Sequence, residues 1–532
     1  MNPEPTLTLT IHDRAVNAVH ADLFGHFMEI EEHEQGPATA WNPETRAFRK
    51  DVADALRLMN IPHMRYPGGS NVEFGPPWTA YIDRPGIPRE GIFRFGFHEF
   101  FQVCDELGSA PLLVIPICRS LQEKHGTTYE QSLREAAAMM AYFNGRLDQG
   151  LPAELNEWVE LRARNGASEP FAVKRWQLGN EAFLAFLGPA REAGWSPEKT
   201  SQEYVRFIRD HIDAVKAVDP SIEVIVEVQP HMFEGIDLMA AFQEQLAEVT
   251  DLVSHHIYQS WQINEIERDG VAVNREDLPY LDYARAIASA PGADAEGLAV
   301  LQDDQLALNA FGKPVAITEW NLNAFYKPGR EEVIYPKSYL ANGLGAAGFL
   351  HAFMRAGNEI VMGNQSMLIG DWWDLGCIRI SRDDPSRFRF DTRGQVNSLY
   401  SRFHGNERLA VDIAHNAFYA QPYALGNLKA KAKVACVDPL VTRRGNTLFL
   451  HVINRDFLRP WRLAVDLSAL GTRPRSILRH SISGALDAGG EFGPEDWQTQ
   501  LRHEPVPVKG RNGKYRLEVA AASVSVFEIA LR

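Results

Sequence analysis

What this chain lacks narrows its function before any motif is read. Only 4 cysteines occur in 532 residues (Cys104, Cys118, Cys377 and Cys436), and no two form a CxxC pair. That rules out a disulfide-built frame and gives no sign of a zinc ribbon or dithiol redox centre. Cys104 and Cys118 sit in apolar stretches, where reduced core thiols are expected. No apolar run approaches the roughly 20 residues of a membrane helix. The first ten residues have neither a basic n-region nor an apolar h-region, so no secretory signal is expected and a cytoplasmic location is. Positive charge is short as well: 54 Lys and Arg face 69 Asp and Glu, a formal net charge of -15. Phosphate binding needs clustered cations, and no basic stripe with interleaved aromatics is present, which argues against nucleic acid as a partner. There is no HExxH or comparable ligand set, so neither metal nor cofactor is expected. Gly343-Leu344-Gly345-Ala346-Ala347-Gly348 satisfies GxGxxG. The segment before it, Tyr335–Tyr339, is no buried strand, so close helix packing explains these small residues better than a dinucleotide does.

What is there fits a large globular protein, with 45% hydrophobic and 23% charged residues. The length calls for more than one core. From about residue 20 to 370, short apolar strands alternate with amphipathic helices. The strands are expected at Leu23–Glu29, His63–Pro67, Leu112–Ile117, Val173–Asn180, Glu223–Glu227, Leu252–Tyr258, Val315–Glu319 and Ile360–Asn364. Asp51–Met59 and Tyr204–Val218 each keep an apolar stripe at helical spacing. Eight such units predict a (β/α)8 barrel. Beyond about Asp371 the helical periods fade. Ala430–Cys436, Thr447–Val452, Arg462–Leu467 and Val519–Leu531 read as strands of an antiparallel β-sandwich. Thr6–Ile11 alternates like a strand and is expected to join that sandwich. The expected domains are therefore 1–18 (the N-terminal strand), 19–375 (the barrel) and 376–532 (the sandwich).

Two of the barrel runs close on a carboxylate. One is Phe171-Ala172-Val173-Lys174-Arg175-Trp176-Gln177-Leu178-Gly179-Asn180-Glu181, and the other is Val315-Ala316-Ile317-Thr318-Glu319-Trp320-Asn321. A carboxylate at the C-terminal tip of a barrel strand points into the mouth where such barrels do their chemistry. Tips on the fourth and seventh strands lie across that mouth, so Glu181 and Glu319 could flank a glycosidic bond. Asn180 stands where it could bind a sugar 2-hydroxyl. Alone, Gly-Asn-Glu fits an acidic helix N-terminus equally well. Arg65 is the candidate partner that would keep Glu319 ionised, and ionised Glu319 would favour a protonated Glu181. His256 and Tyr258 share one side of the sixth strand and belong either to this site or to a polar layer inside the barrel. Trp78, in the insert after the second strand, is either a stacking platform or a loop anchor.

These residues together resemble the clan-A retaining glycoside hydrolases, and more narrowly the family 51 α-L-arabinofuranosidases. Leu23-Phe24-Gly25-His26-Phe27-Met28-Glu29 is similar to that family's first barrel strand, and Arg65-Tyr66-Pro67-Gly68-Gly69 to its RWPGG segment. Asn180-Glu181 and Glu319-Trp320-Asn321 resemble its acid/base and nucleophile motifs, and Val452–Asp456 resembles a strand of its sandwich. The resemblance implies Glu181 as acid/base, Glu319 as nucleophile, and Glu29, Asn180, His256 and Tyr258 around the sugar or the pair. Arg65 and Trp320 would support them. The resemblance also implies a homo-oligomer acting on small carbohydrates. Three positions depart from the family. Ser70 replaces an Asn, with Asn71 following; Thr318 replaces a frequent Asp; and Met367 replaces a sugar-binding Gln, with Gln365 nearby. The expected activity is retaining, exo-acting hydrolysis of terminal α-L-arabinofuranosyl residues. A clan-A glycosidase of other specificity (β-xylosidase, β-glucuronidase or β-glucanase) and a non-catalytic carbohydrate-binding protein are the alternatives.

Overall fold

The computed structural model describes residues 4–29, 36–229, 233, 235–261, 263, 265–274, 277–302, 311–322, 339–370, 375–381, 384, 386–485 and 500–532. Eight parallel strands close into a barrel. They are β2 (Gly25–Glu29), β3 (His63–Gly68), β4 (Ala110–Ile115), β5 (Arg175–Leu178), β6 (Glu223–Glu227), β7 (Leu252–Gln259), β8 (Val315–Leu322) and β9 (Ile360–Gln365). Their order around the barrel follows the chain, and β9 closes on β2 through Asn364 opposite Gly25. All eight expected strands are present, with ends shifted by a few residues, as is usual at element boundaries. Buried on both faces, they read as near-continuous apolar runs. Leu112, Ile225, Leu252, Ala316 and Met362 form a separate apolar cluster contributed by five barrel strands. Further along the same strands come the polar residues of the site.

Helices pack outside the barrel for local reasons. α1 (Lys50–Met59) buries Val52, Ala55, Leu56 and Met59 along one stripe and stops at Asn60, whose left-handed backbone (φ 52°) ends the turn pattern. α2 (Asn71–Phe74) is one short turn after β3, and α3 (Ala182–Glu192) follows β5 directly. α4 (Pro197–Lys216) starts at Ser196, whose hydroxyl accepts the Lys199 N–H, with Pro197 at the first helical position. α5 (Tyr280–Ala288) lies against α6 (Tyr339–Ala356). The GxGxxG run lies inside α6, where a side chain at Gly348 would run into the carbonyl of Ala290. Close packing is thus its use, as the sequence suggested.

The C-terminal strands are β10 (Glu407–Ala414), β11 (Val437–Arg444), β12 (Thr447–Asn454), β13 (Trp461–Asp466), β14 (Pro474–Ser483), β15 (Gln500–Val506), β16 (Gly510–Arg511), β17 (Lys514–Val519) and β18 (Ser523–Leu531). With β1 (Thr6–Ala18) they form one ten-stranded sheet, ordered β15-β14-β18-β12-β11-β10-β1-β13-β17-β16. β1 runs antiparallel to β10 and parallel to β13, so the N-terminal strand sits inside the sheet. Inward residues from both halves share one core that includes Leu9, Val441, Leu450, Trp461, Leu517 and Phe527. This is the expected sandwich, except that the strand expected at Ala430–Cys436 forms as Lys431–Ala435 and pairs with Phe418–Gln421 in a separate two-stranded sheet. Before it comes α7 (Thr392–Arg402), a helix absent from the sequence reading, which packs on α6 and α1.

Candidate active site

The C-terminal ends of β5, β7 and β8 bring Glu181, His256 and Glu319 together. One side-chain oxygen or nitrogen from each lies within 4.8 Å of the other two. Glu319 is the deeper carboxylate, with its side chain 7% exposed, whereas that of Glu181 is 25% exposed. Arg65, fully buried on β3, reaches three partners. Its Nη1 donates to Glu319 Oε1 at 2.9 Å, Nη2 to Asn180 Oδ1 at 2.6 Å and Nε to Gln177 Oε1 at 2.7 Å. One guanidinium therefore ties both motif-bearing strand ends into one frame. Tyr258 donates its hydroxyl to Glu319 Oε2 at 2.7 Å and also meets Ser366 Oγ at 2.6 Å. The β7–β8 register skips at Thr318, between the pairs Ile317–His255 and Glu319–His256. That irregularity accompanies the turn of Glu319 into the barrel beside Arg65.

His256 donates from Nδ1 to Glu181 Oε1 at 3.0 Å and lies 3.6 Å from Glu319 Oε2. Burial alone would push this imidazole toward neutrality. The carboxylates of Glu319, Glu227 and Glu181 outweigh it and raise its pKa to about 9. Glu181, Glu319 and His256 form the one group among the described residues whose spacing would admit a cation. Arg65 already supplies positive charge there.

The Gly-Asn-Glu turn is tightly held. Gly179 and Glu181 both have left-handed backbones, with φ of 76° and 48°. The Asn180 N–H donates to Glu73 Oε1 at 3.1 Å, and the Glu181 N–H to Glu227 Oε2 at 2.5 Å. Burial pushes Glu73 up to about 7, against the pull of backbone N–H groups from Cys118, Ile117 and Asn180. Neither Glu73 nor Glu227 was singled out from the sequence. Glu73 looks like an ordinary acid in a helical turn. Glu227 did carry a signal, since Ile225-Val226-Glu227 is a third apolar run closing on a carboxylate.

A cavity of about 630 Å³ opens above the pair, and Glu29, Ser70, Asn180 and Tyr258 line it. Gly69 (φ 75°) passes so close to Glu29 that a side chain there would strike its carboxylate. Asn180 keeps its Nδ2 without a hydrogen-bond partner among the described residues. Met367 and Leu375 add an apolar wall, and Trp261 and Leu184 stand at the cavity with Asn427. Asn427 comes from beyond the barrel, donating to the Tyr258 carbonyl at 2.6 Å and accepting the Trp261 N–H at 3.1 Å.

Four expected site residues lie elsewhere. Trp78 is 3% exposed, its ring 5.1 Å from that of Trp158 and 5.7 Å from that of Tyr142, so it anchors its loop in the core. Gln365 is fully buried and accepts from Asn397 Nδ2 at 3.1 Å, away from the cavity. Met367, two residues on, lines the cavity instead. Trp320 alternates away from Glu319 and packs on Phe349 and Phe353 of α6. Asn71 begins α2 and does not line the cavity, whereas Ser70 does.

Residues 55–272 match the sequence model of the alpha-L-arabinofuranosidase 1 domain. Alpha-L-arabinofuranosidase C of Emericella nidulans is 32% identical over 234 residues, 41% of this chain and 41% of the fungal protein. An intracellular exo-alpha-(1->5)-L-arabinofuranosidase of Streptomyces lividans is 27% identical over 259 residues, 45% of this chain and 34% of that protein. The chain thus aligns with less than half the length of either curated relative. The alpha-L-arabinofuranosidase of Thermotoga maritima, solved with arabinose, superposes with a TM-score of 0.68 at 19% identity, covering 98% of this chain and 100% of that one. Barrel and sandwich together are the fold of the solved GH51 alpha-L-arabinofuranosidase of Thermotoga petrophila, at a TM-score of 0.68 and 20% identity over 98% of this chain and 99% of that one. The chain resembles the arabinofuranosidases in sequence across β3 to β7 and in fold along its whole length.

Proposed function

We propose that this protein is a retaining, exo-acting α-L-arabinofuranosidase, which removes terminal α-L-arabinofuranosyl residues from oligosaccharides or polysaccharide fragments. One observation carries the reading: oxygens of Glu181 and Glu319 lie within 4.8 Å of each other across the barrel mouth. Retaining glycosidases hold their carboxyl groups about 5–5.5 Å apart, whereas inverting enzymes leave about 6.5–9.5 Å for a water. The names of the sequence relatives favour an arabinofuranoside as the sugar.

Glu319, the deeper carboxylate, attacks the anomeric carbon. Arg65 and Tyr258 each hold one of its oxygens and so aim the attack. Glu181 enters protonated, gives its proton to the glycosidic oxygen, and the leaving sugar departs. As a carboxylate it then takes a proton from the water that displaces Glu319 from the sugar. Asn180 offers Nδ2 to the 2-hydroxyl, while Glu29 and Ser70 contact the ring substituents. These steps need no cofactor.

Glu319→Ala and Glu181→Ala test the assignment on aryl α-L-arabinofuranosides, with the product anomer followed by NMR. Both variants are expected to lose most activity, and azide should give a product of retained configuration only with Glu181→Ala. Near-normal turnover by either variant refutes the assignment. Preferred turnover of a β-xyloside or β-glucuronide would move the specificity, and binding without turnover would favour a carbohydrate-binding protein. The same reading makes the protein a cytoplasmic homo-oligomer. Its four buried free cysteines and the relative named intracellular support the compartment. The oligomer rests on the resemblance alone, and light scattering tests it.

A further inference from the structure

β6 ends in a third carboxylate that the steps above leave unused. Glu227 is 1% exposed. Its Oε2 accepts the Glu181 N–H at 2.5 Å, and its Oε1 accepts from the Gln229 amide and lies 3.6 Å from His256 Nε2. That nitrogen makes no hydrogen bond among the described residues, so the imidazole meets Glu227 through charge alone. The other ring nitrogen donates to Glu181. Glu227 therefore touches the same residue twice, directly at its backbone and through His256 at its carboxylate. The titratable groups facing this array are Glu181 after β5, Glu319 on β8, Glu73 on α2, Cys118 after β4 and Tyr204 on α4. Arg65 is committed to Glu319, Asn180 and Gln177, and burial raises Glu227 while the charge of His256 pulls it down.

We propose that Glu227 is a positioning residue for hydrolysis: it fixes the left-handed backbone of Glu181 and is the counter-charge that holds the His256 ring against Glu181 Oε1. The inference rests on the reading of Glu181 as acid/base. Its consequence is asymmetric between the two steps. Once Glu319 is esterified to the sugar, one negative charge beside His256 is gone. Glu227 then remains to hold the imidazole charged, and that charge favours Glu181 as the carboxylate that must take a proton from water. Glu227 thus matters more to release of the sugar from Glu319 than to its attachment.

Glu227→Gln keeps an oxygen for the Glu181 N–H and removes the charge. Two readouts test it. Imidazole 15N signals of His256, identified by their loss in His256→Gln, follow its protonation with no substrate present. Its titration midpoint should fall by at least about one unit in Glu227→Gln. In turnover of an activated aryl α-L-arabinofuranoside, kcat should fall about tenfold with KM falling in parallel, glycosyl-enzyme should accumulate in mass spectra, and azide should restore the rate. An unmoved titration overturns the proposal whatever the substrate proves to be. A fall in kcat with KM unchanged also overturns it, since a loosened fold would give that. If the native enzyme hydrolyses no arabinofuranoside while the titration still moves, the proposed function fails and the Glu227–His256 coupling stands. Should Glu227→Gln not fold, Glu227→Asp replaces it: the charge is kept, so the native His256 titration is expected with a lowered kcat, and a displaced titration overturns the idea.

Discussion

Two buried clusters in this molecule use the same four side-chain types and come to opposite ends. At the barrel mouth, Glu319 is held by Arg65, Tyr258 and His256. At the seam between barrel and sandwich, Asp438 accepts from Arg355 Nη2 at 2.5 Å, Arg455 Nη1 at 3.2 Å and His351 Nδ1 at 3.1 Å, and Tyr400 meets the far nitrogen of His351 at 2.8 Å. The difference lies in the balance of charge. His256 faces three carboxylates, which raise it to about 9 against its burial. Burial lowers His351 to about 4, with two arginines opposing the pull of one aspartate. The seam holds an excess of arginine, Arg355 and Arg455 against Asp438 alone. The mouth holds an excess of carboxylate at the edge of a 630 Å³ cavity. A staple and a site are thus told apart by the sign of the excess charge, not by which residues are present.

The sharpest way to break this comparison is to remove the central carboxylate from each cluster. Glu319→Ala is expected to cut kcat by at least about a thousandfold, with a melting temperature near that of the parent. Asp438→Ala leaves two arginines without their carboxylate and is expected to cost about 3–5 kcal/mol in stability, read by denaturant unfolding, while the folded fraction keeps its turnover. Next comes Glu73→Ala, which strips the acceptor from the Asn180 N–H. Loss of about a hundredfold in kcat is expected from the misplaced Gly-Asn-Glu turn, measured by steady-state kinetics.

The two histidines should respond to pH with opposite sign. His256 is raised when folded, so its contribution is complete below about 6.5 and disappears as pH climbs through about 9. His351 is lowered, so it costs stability as pH falls from about 6.5 toward 4. Each accounts for at most about 3 kcal/mol. Unfolding curves across pH should lose their alkaline slope in His256→Gln and their acid slope in His351→Gln. The smallest effect is expected at the rim. Asn427→Ala removes the acceptor of the Trp261 N–H and should raise KM for an arabino-oligosaccharide about threefold, with kcat on an aryl arabinofuranoside unchanged.

The sequence was most readable where burial is apolar and two-sided. Glu223–Glu227 appears with its expected bounds because every interior position is aliphatic. Glu181 and Glu319 were visible because each breaks such a run at its end. α7 was invisible for the converse reason. It is buried almost throughout, and its buried residues include Arg393, Gln395, Asn397 and Ser398, so it has no apolar stripe to detect. Trp78 and Gln365 were misplaced because residue type suggests sugar binding, while direction is set by packing partners far along the chain. Trp158 claims the first and Asn397 the second. The second grip on Glu181, through Glu227, depends on neighbouring strands, and the pattern of a single strand does not carry it.

The place of β1 has a consequence for synthesis. Thr8 must wait for Ala414, and at roughly 5–20 residues per second the ribosome needs on the order of 20–80 s to deliver that partner. Through that interval β1 is a bare edge, able to pair with a neighbouring nascent chain. Its charged second half, with His12, Asp13 and Arg14, supplies the kind of side chains that discourage such pairing.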